Sequence, residues 1–92
     1  MSFFNTSDEE NYISNLEKIL KENKITYTSV FKLQYTSYMI KLSNGSQVII
    51  SSQKDINKEI SSLQFILKRL TMEGKEFTKL DLRFDKPVIT FK

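Results

Sequence analysis

Residues 38–51 read Tyr-Met-Ile-Lys-Leu-Ser-Asn-Gly-Ser-Gln-Val-Ile-Ile-Ser, two β-prone runs around one Asn-Gly pair. Tyr38, Ile40 and Leu42 alternate with Met39 and Lys41, the period-two pattern of a half-buried strand. Gln47 to Ser51 returns on the other side of the pair. Asn44-Gly45 is the strongest short hairpin signal and predicts a type I′ turn, which needs positive φ at both central residues. Just upstream, Ile25 to Gln34 is rich in β-branched and aromatic residues. Tyr27, Phe31, Leu33 and Tyr35 share one parity there, and Thr26, Thr28, Lys32 and Gln34 fill the other, with Val30 the exception. Thr36-Ser37 is a short break. The middle of the chain is thus a three-stranded antiparallel meander at about 26–35, 37–43 and 46–51.

Helices flank this meander. Tyr12, Ile13, Leu16, Ile19 and Leu20 form one apolar stripe, which places a first helix at about 8–23. Ser7-Asp8-Glu9-Glu10 before it reads as a capping box, with Ser7 as N-cap and residues 1–6 as a lead-in. Ile56, Ile60, Leu63, Leu67 and Leu70 recur at spacings of four and three, and Ile66 widens the stripe. A second helix follows at about 54–72, with Ser52 as a plausible N-cap and Gly74 at its C′ position. Leu80, Leu82 and Phe84 then alternate with Lys79, Asp81 and Arg83 as a half-buried strand. Asp85-Lys86-Pro87 is a turn, and Val88 to Phe91 a last short strand. Pro87 cannot donate to a sheet ladder, so it suits the start of an edge strand.

The expected fold is α+β in one domain, residues 1–92. Two helices pack on one face of a mainly antiparallel five-stranded sheet, in the order α-β-β-β-α-β-β. The helices echo each other. Ile13-Ser14-Asn15-Leu16-Glu17-Lys18-Ile19-Leu20-Lys21 matches Ile60-Ser61-Ser62-Leu63-Gln64-Phe65-Ile66-Leu67-Lys68 at six of nine positions, and each helix leads into a strand pair.

Composition narrows function. The 92 residues contain no histidine and no cysteine. That removes the commonest general base, the commonest metal ligand and every thiolate site, and argues against an enzyme. No Gly-rich phosphate loop occurs, and no cofactor is expected. A chain of this size buries roughly 60–65% of its unfolded surface, which leaves no deep interior for a large cofactor or small-molecule substrate. No apolar run reaches the roughly 20 residues needed to span a bilayer. The net charge of +3 comes from 12 lysines and two arginines against 11 acids. An excess that small keeps a protein soluble without implying a nucleic-acid partner.

The acidic residues read mostly as structural. Asp8, Glu9 and Glu10 suit the positive end of a helix dipole. Asp55 and Glu59, among Lys54 and Lys58, suggest a solvated charged face. Asp81 and Arg83 share the polar parity of one strand, either as a binding pair on the open face or as surface charges. Phe65 projects away from its helix's apolar stripe, with Met72 seven residues on, so the pair marks a contact surface or packs against Phe3 and Phe4 of the lead-in. Asn5-Thr6-Ser7 and Asn44-Gly45-Ser46 match the glycosylation sequon but lack secretory context.

The ordered set Leu63-Gln64-Phe65-Ile66-Leu67, Gly74, Lys79-Leu80-Asp81-Leu82-Arg83-Phe84 and Pro87-Val88-Ile89 resembles the C-terminal part of the β domain of the bacterial cell-division family FtsQ/DivIB. That family commonly has an (Ile/Val)-Asp-Leu-Arg-(Phe/Tyr) strand, a short turn and a Val-rich last strand. Tyr38 to Val48 is similar to its hairpin, and the resemblance covers roughly residues 13–91. It implies a non-catalytic scaffold of the divisome, at the extracytoplasmic face of the cell membrane. The membrane helix and POTRA domain of that family are absent from this chain, which implies a soluble fragment of a membrane-anchored parent. The implied partner is an FtsB/FtsL- or DivIC-like coiled-coil subcomplex, added as a strand at Val88, Ile89, Thr90 and Phe91, with Asp81, Arg83 and Phe84 in support. A terminal strand after a proline turn also reads as an edge on its own residues, open to strand addition or to pairing with its own copy.

The first five elements also match the order of a double-stranded-RNA-binding domain, whose second helix opens with phosphate-binding lysines. Here Lys54 and Lys58 are offset by Asp55 and Glu59, and two further strands follow.

Overall fold

The computed structural model describes residues 6–92, with side chains from Glu9 onward. The element order is α1 (Thr6–Glu22), β1 (Tyr27–Gln34), β2 (Ser37–Leu42), β3 (Gln47–Ser51), α2 (Ile56–Glu73), β4 (Phe77–Asp81) and β5 (Val88–Phe91). The strands lie side by side in chain order. All neighbours are antiparallel except β3 and β4, which run parallel with α2 as their crossover. This is the expected α+β fold.

One cross-strand row explains where the core sits. Val30, Ile40, Val48, Leu80 and Ile89 stand opposite one another across all five strands. The central three are fully buried, and Val30 and Ile89 pack against them from the edges. Leu16, Leu20, Ile60 and Leu63 cover this face from the two helices. Leu16 and Leu63, which match in the internal echo, are both fully buried. The other face carries the row Phe31, Met39, Ile49, Asp81 and Val88, and Met39 and Ile49 lie outside the helix-covered core.

Strand β1 departs from its simple parity. Tyr27 pairs with Leu42, but Ser29 pairs with Lys41, so Thr28 is an extra residue. A bulge of one residue exchanges the two faces of everything after it. Val30 therefore faces the helices, and Phe31 moves to the open face with Tyr27's parity no longer applying. A second shift after Lys32 leaves Leu33 unpaired. The turn at Asn44-Gly45 also differs from a type I′ turn. Only Gly45 has positive φ (92°), and its N–H donates to the Leu42 carbonyl at 3.0 Å. Asn44 instead uses its side chain, accepting the Ser46 N–H at 2.9 Å. The loop is thus a three-residue connection with glycine in the left-handed position.

Helix boundaries shift for local reasons. Helix α1 already contains Ser7, so Ser7 is not its N-cap. Phe3 and Phe4 lie outside the described residues. Helix α2 starts after Asp55, whose carboxylate accepts the N–H groups of Asn57 and Lys58, so Asp55 and not Ser52 is the N-cap. Strand β4 starts earlier than expected, at Phe77, and ends at Asp81.

Both helices end in the same motif. Gly74 (φ 66°) donates to Thr71, and Lys75 donates to Leu70. Lys24 (φ 58°) donates to Lys21, and Ile25 donates to Leu20. These paired bonds define the Schellman cap, and buried Ile25 supplies its hydrophobic contact with Leu20. Lys24 is exposed but occupies a conformation that costs a side chain about 1 kcal/mol. Lys24→Gly is expected to raise stability by about 0.5–1 kcal/mol, and Gly74→Ala to lower it by about 1 kcal/mol, read from urea midpoints at unchanged slope. The bulge at Thr28 is checked in the same way. Val30→Lys is expected to destabilise by about 2 kcal/mol or more, and Phe31→Lys by less than about 1 kcal/mol.

Candidate protein-binding edge and open sheet face

Strand β5 pairs with β4 on one side, and among the described residues no strand lies on the other. Val88 is 52% exposed and Phe91 51%, Thr90 is exposed, and Ile89 is half-buried over the core. The irregularity in the β4–β5 pair adds Thr78 to β4, so β5 itself runs from Val88 to Phe91 without a bulge. The opposite edge, β1, contains two shifts, and its Lys32 pairs with Glu9 at 3.6 Å. Bulges and charges on an edge oppose further strand pairing. The two edges of this sheet are therefore unequal, and β5 is the regular one.

Beside β5, the sheet face opposite the helices carries a polar clasp, and Met39, Ile49 and Asp81 are buried on it. Arg83 Nε donates to Asp81 Oδ1 at 2.9 Å, and its Nη2 donates to Oδ2 at 2.6 Å. This is the bidentate geometry that makes guanidinium–carboxylate pairs strong. The Arg83 amide also donates to Oδ1, at 3.0 Å, and Nη1 donates to Ser37 Oγ at 3.2 Å. Ser37 belongs to β2, so the side chain links β2 to β4 across the intervening β3. Asp81 is only 6% exposed. Burial alone raises its pKa, but the hydrogen bonds and charge of Arg83, with Lys79 nearby, hold it below the ordinary carboxylate value. The carboxylate in turn raises the Arg83 pKa. About a third of the Arg83 side chain stays in solvent, and its guanidinium lies 5.4 Å from the ring of exposed Phe84. The result is a fixed cation–aromatic pair at the start of the turn into β5.

Lys54 holds this turn from behind. Its Nζ donates to the Leu82 carbonyl at 3.1 Å and to the Phe84 carbonyl at 2.8 Å. Two bonds from one cation fix the backbone on either side of Arg83. The Leu82 amide donates to the Ile49 carbonyl at 2.8 Å, which extends the β3–β4 ladder past Asp81.

Close by, Glu59 is not part of a solvated face. It is 7% exposed, because the position three residues after Ile56 falls on the buried stripe of α2. Its carboxylate receives one long hydrogen bond, 3.5 Å from the Ser51 amide. Burial raises its pKa and Asp81 adds to this, against the lowering effects of the Ser51 amide and Lys54. The hydroxyl of Tyr12 is buried without a hydrogen-bond partner among the described residues, while its ring packs 4.4 Å from that of Tyr38. Burial first, then Glu59 and Tyr38, push its pKa up to about 12.

The structure brings together part of the expected set. Asp81, Arg83 and Phe84 adjoin Val88 to Phe91, and Asp81 pairs in register with Val88. Phe65 and Met72 are exposed on α2 and do not belong to the sheet edge. Sequence reasoning missed Ser37 and Lys54. Their contacts with the turn span 46, 28 and 30 residues of chain, and no local pattern encodes them. Lys54, which an RNA-binding domain would direct to phosphate, is occupied by carbonyls. Among the described residues no cluster of three or more acidic side chains could hold a metal ion, and no helix is long and apolar enough to cross a membrane. No protein-family model and no curated protein matches the chain.

Glu59 and Asp81 give opposite pH dependences. A carboxyl whose folded pKa is raised contributes stability at low pH that is lost as pH rises through the folded value. A lowered one contributes stability at neutral pH that is lost as pH falls through its folded value. Glu59→Gln is therefore expected to raise the melting temperature at pH 7 and to flatten the wild-type decline that begins as pH rises above the ordinary carboxyl value of 4.5. Asp81→Asn is expected to lower stability at pH 7 by about 1–3 kcal/mol, with the difference shrinking as pH falls below the ordinary carboxyl value of 3.8.

Proposed function

We propose that this chain is a non-catalytic protein-binding module that takes a partner segment as an added strand on β5. The observation that carries this reading is the unbroken, solvent-facing edge at Val88–Phe91, opposite an edge blunted by two bulges. Main-chain bonds along β5 supply affinity, and exposed Val88 and Thr90 select alternate side chains of the partner. Arg83 and Phe84, fixed by Asp81 and Lys54, supply a cation and an aromatic surface next to the added strand. Such residues are typical of interface hot spots.

The particular assignment is to the extracytoplasmic β domain of the FtsQ/DivIB family, with an FtsB/FtsL- or DivIC-like coiled-coil protein as the partner and the division septum as the place of work. The resemblance in residues 38–48 and 63–89 supports it. The positions it implies for the interface are the regular edge and the Arg83 clasp beside it.

The test is a proline scan. Alternate N–H groups of an edge strand point away from its neighbour. Among proline variants at 88, 89 and 90, those that keep the wild-type melting temperature are expected to lose binding to a peptide of such a coiled-coil partner. Arg83→Ala is expected to weaken binding about tenfold to a hundredfold. Wild-type affinity in a folded proline variant of the outward-pointing parity would reject the edge as the binding site.

A further inference from the structure

Helix α2 has a second face that the sheet does not use. Phe65 and Met72 project from it, 65% and 80% exposed. They stand seven residues apart, about 10 Å along the helix axis at 1.5 Å per residue. Between them lies a notch of about 320 Å³ lined by Phe65, Lys68, Arg69, Met72 and Glu73. Glu73 pairs with Arg69 at 3.0 Å and with Lys75 at 3.3 Å, and so neutralises one of these two cations. Lys68 has no ion-pair partner among the described residues. Lys68 and Met72 also border a wider groove of about 590 Å³, which brings Lys24 to the same rim. The patch is thus two apolar knobs in a net positive setting.

Charge decides among occupants. A second copy docking through the same helix face is disfavoured. Antiparallel pairing with Phe65 opposite Met72 sets Lys68 against Arg69, and parallel pairing sets Lys68 against Lys68. Like charges facing each other across an interface oppose it. An anionic membrane would meet Glu73 inside the notch, and two apolar side chains offer it little area. A single helix suits both features. Knobs seven residues apart match the heptad repeat of a packed partner helix, and Lys68 and Arg69 flank the line between them.

We propose that this face of α2 docks an acidic amphipathic helix from another protein, with the partner's apolar residues on Phe65 and Met72 and its carboxylates on Lys68 and Arg69. The proposal does not rest on strand addition at β5, although Lys75, the partner of Glu73, also lies 5.8 Å from the Phe91 ring.

The test titrates the isotope-labelled 92-residue chain with two synthetic helical peptides that share a leucine seam, one flanked by glutamates and the other by lysines. The glutamate peptide is expected to shift the amide signals of residues 65–73 and to bind at least tenfold more tightly than the lysine peptide. Phe65→Ser with Met72→Ser should abolish these shifts. Lys68→Glu with Arg69→Glu should reverse the peptide preference. All four positions are exposed, so melting temperatures provide the control for folding. Equal affinity for the two peptides, shifts centred on β5, or co-sedimentation with phosphatidylglycerol vesicles in the absence of peptide binding would overturn the proposal. So would a concentration-dependent dimer whose shifts map to α2.

Discussion

The parallel pairing of β3 with β4 holds the two halves of this protein in one sheet. The strands before it form a meander of neighbours in sequence, and those after it a single hairpin. The registered contacts Gln47–Lys79, Val48–Leu80 and Ile49–Asp81 join the two. A parallel pair cannot be closed by a tight turn, so a crossover is obligatory, and α2 provides it. The apolar stripe of that helix then has to lie on the sheet, which fixes Ile60 and Leu63 over Val48 and Leu80. The same pairing brings Asp81 beside the meander, within reach of Ser37 through Arg83. The polar clasp and the position of β5 at the rim both follow from this one junction.

The physical organisation around the clasp has a simple division of labour. Asp81 is buried and gives up hydration, and the guanidinium compensates with two hydrogen bonds of good geometry. Lys54 satisfies the carbonyls of Leu82 and Phe84, and its charge also favours the ionised form of Glu59. Glu59 is the less favourable member of this end of the sheet, a buried carboxyl with one long hydrogen bond. Burying polar groups this closely together is costly unless they satisfy one another, and here the satisfaction is uneven.

Most of the fold was legible in the sequence because local signals and global arrangement agree. Alternation at Tyr38–Leu42, the Asn44-Gly45 punctuation, the helical stripe ending at Gly74 and the proline before Val88 each mark a real element or boundary. Readings that depended on parity or on an exact cap fared worse. An extra residue at Thr28 leaves no trace in composition, yet it exchanges Val30 with Phe31. Ser52 and Asp55 are both good caps, and only the start of α2 chooses between them. Glu59 looked solvated because its neighbours are charged, although its spacing from Ile56 and Ile60 places it on the buried stripe. In the candidate site, the edge strand and the Asp81–Arg83 pair were readable because they are contiguous. Ser37 and Lys54 were not, since their contacts arise only when distant segments meet.

The unequal edges have a consequence for stoichiometry. A sheet with two regular edges is divalent and can propagate, one copy on the next, into an open-ended fibre. Here β1 is irregular at two points and β5 is not. The fold therefore offers one regular edge and not two. On the proposed reading, strand addition at β5 would stop after one partner strand, whether that strand came from another protein or from a second copy.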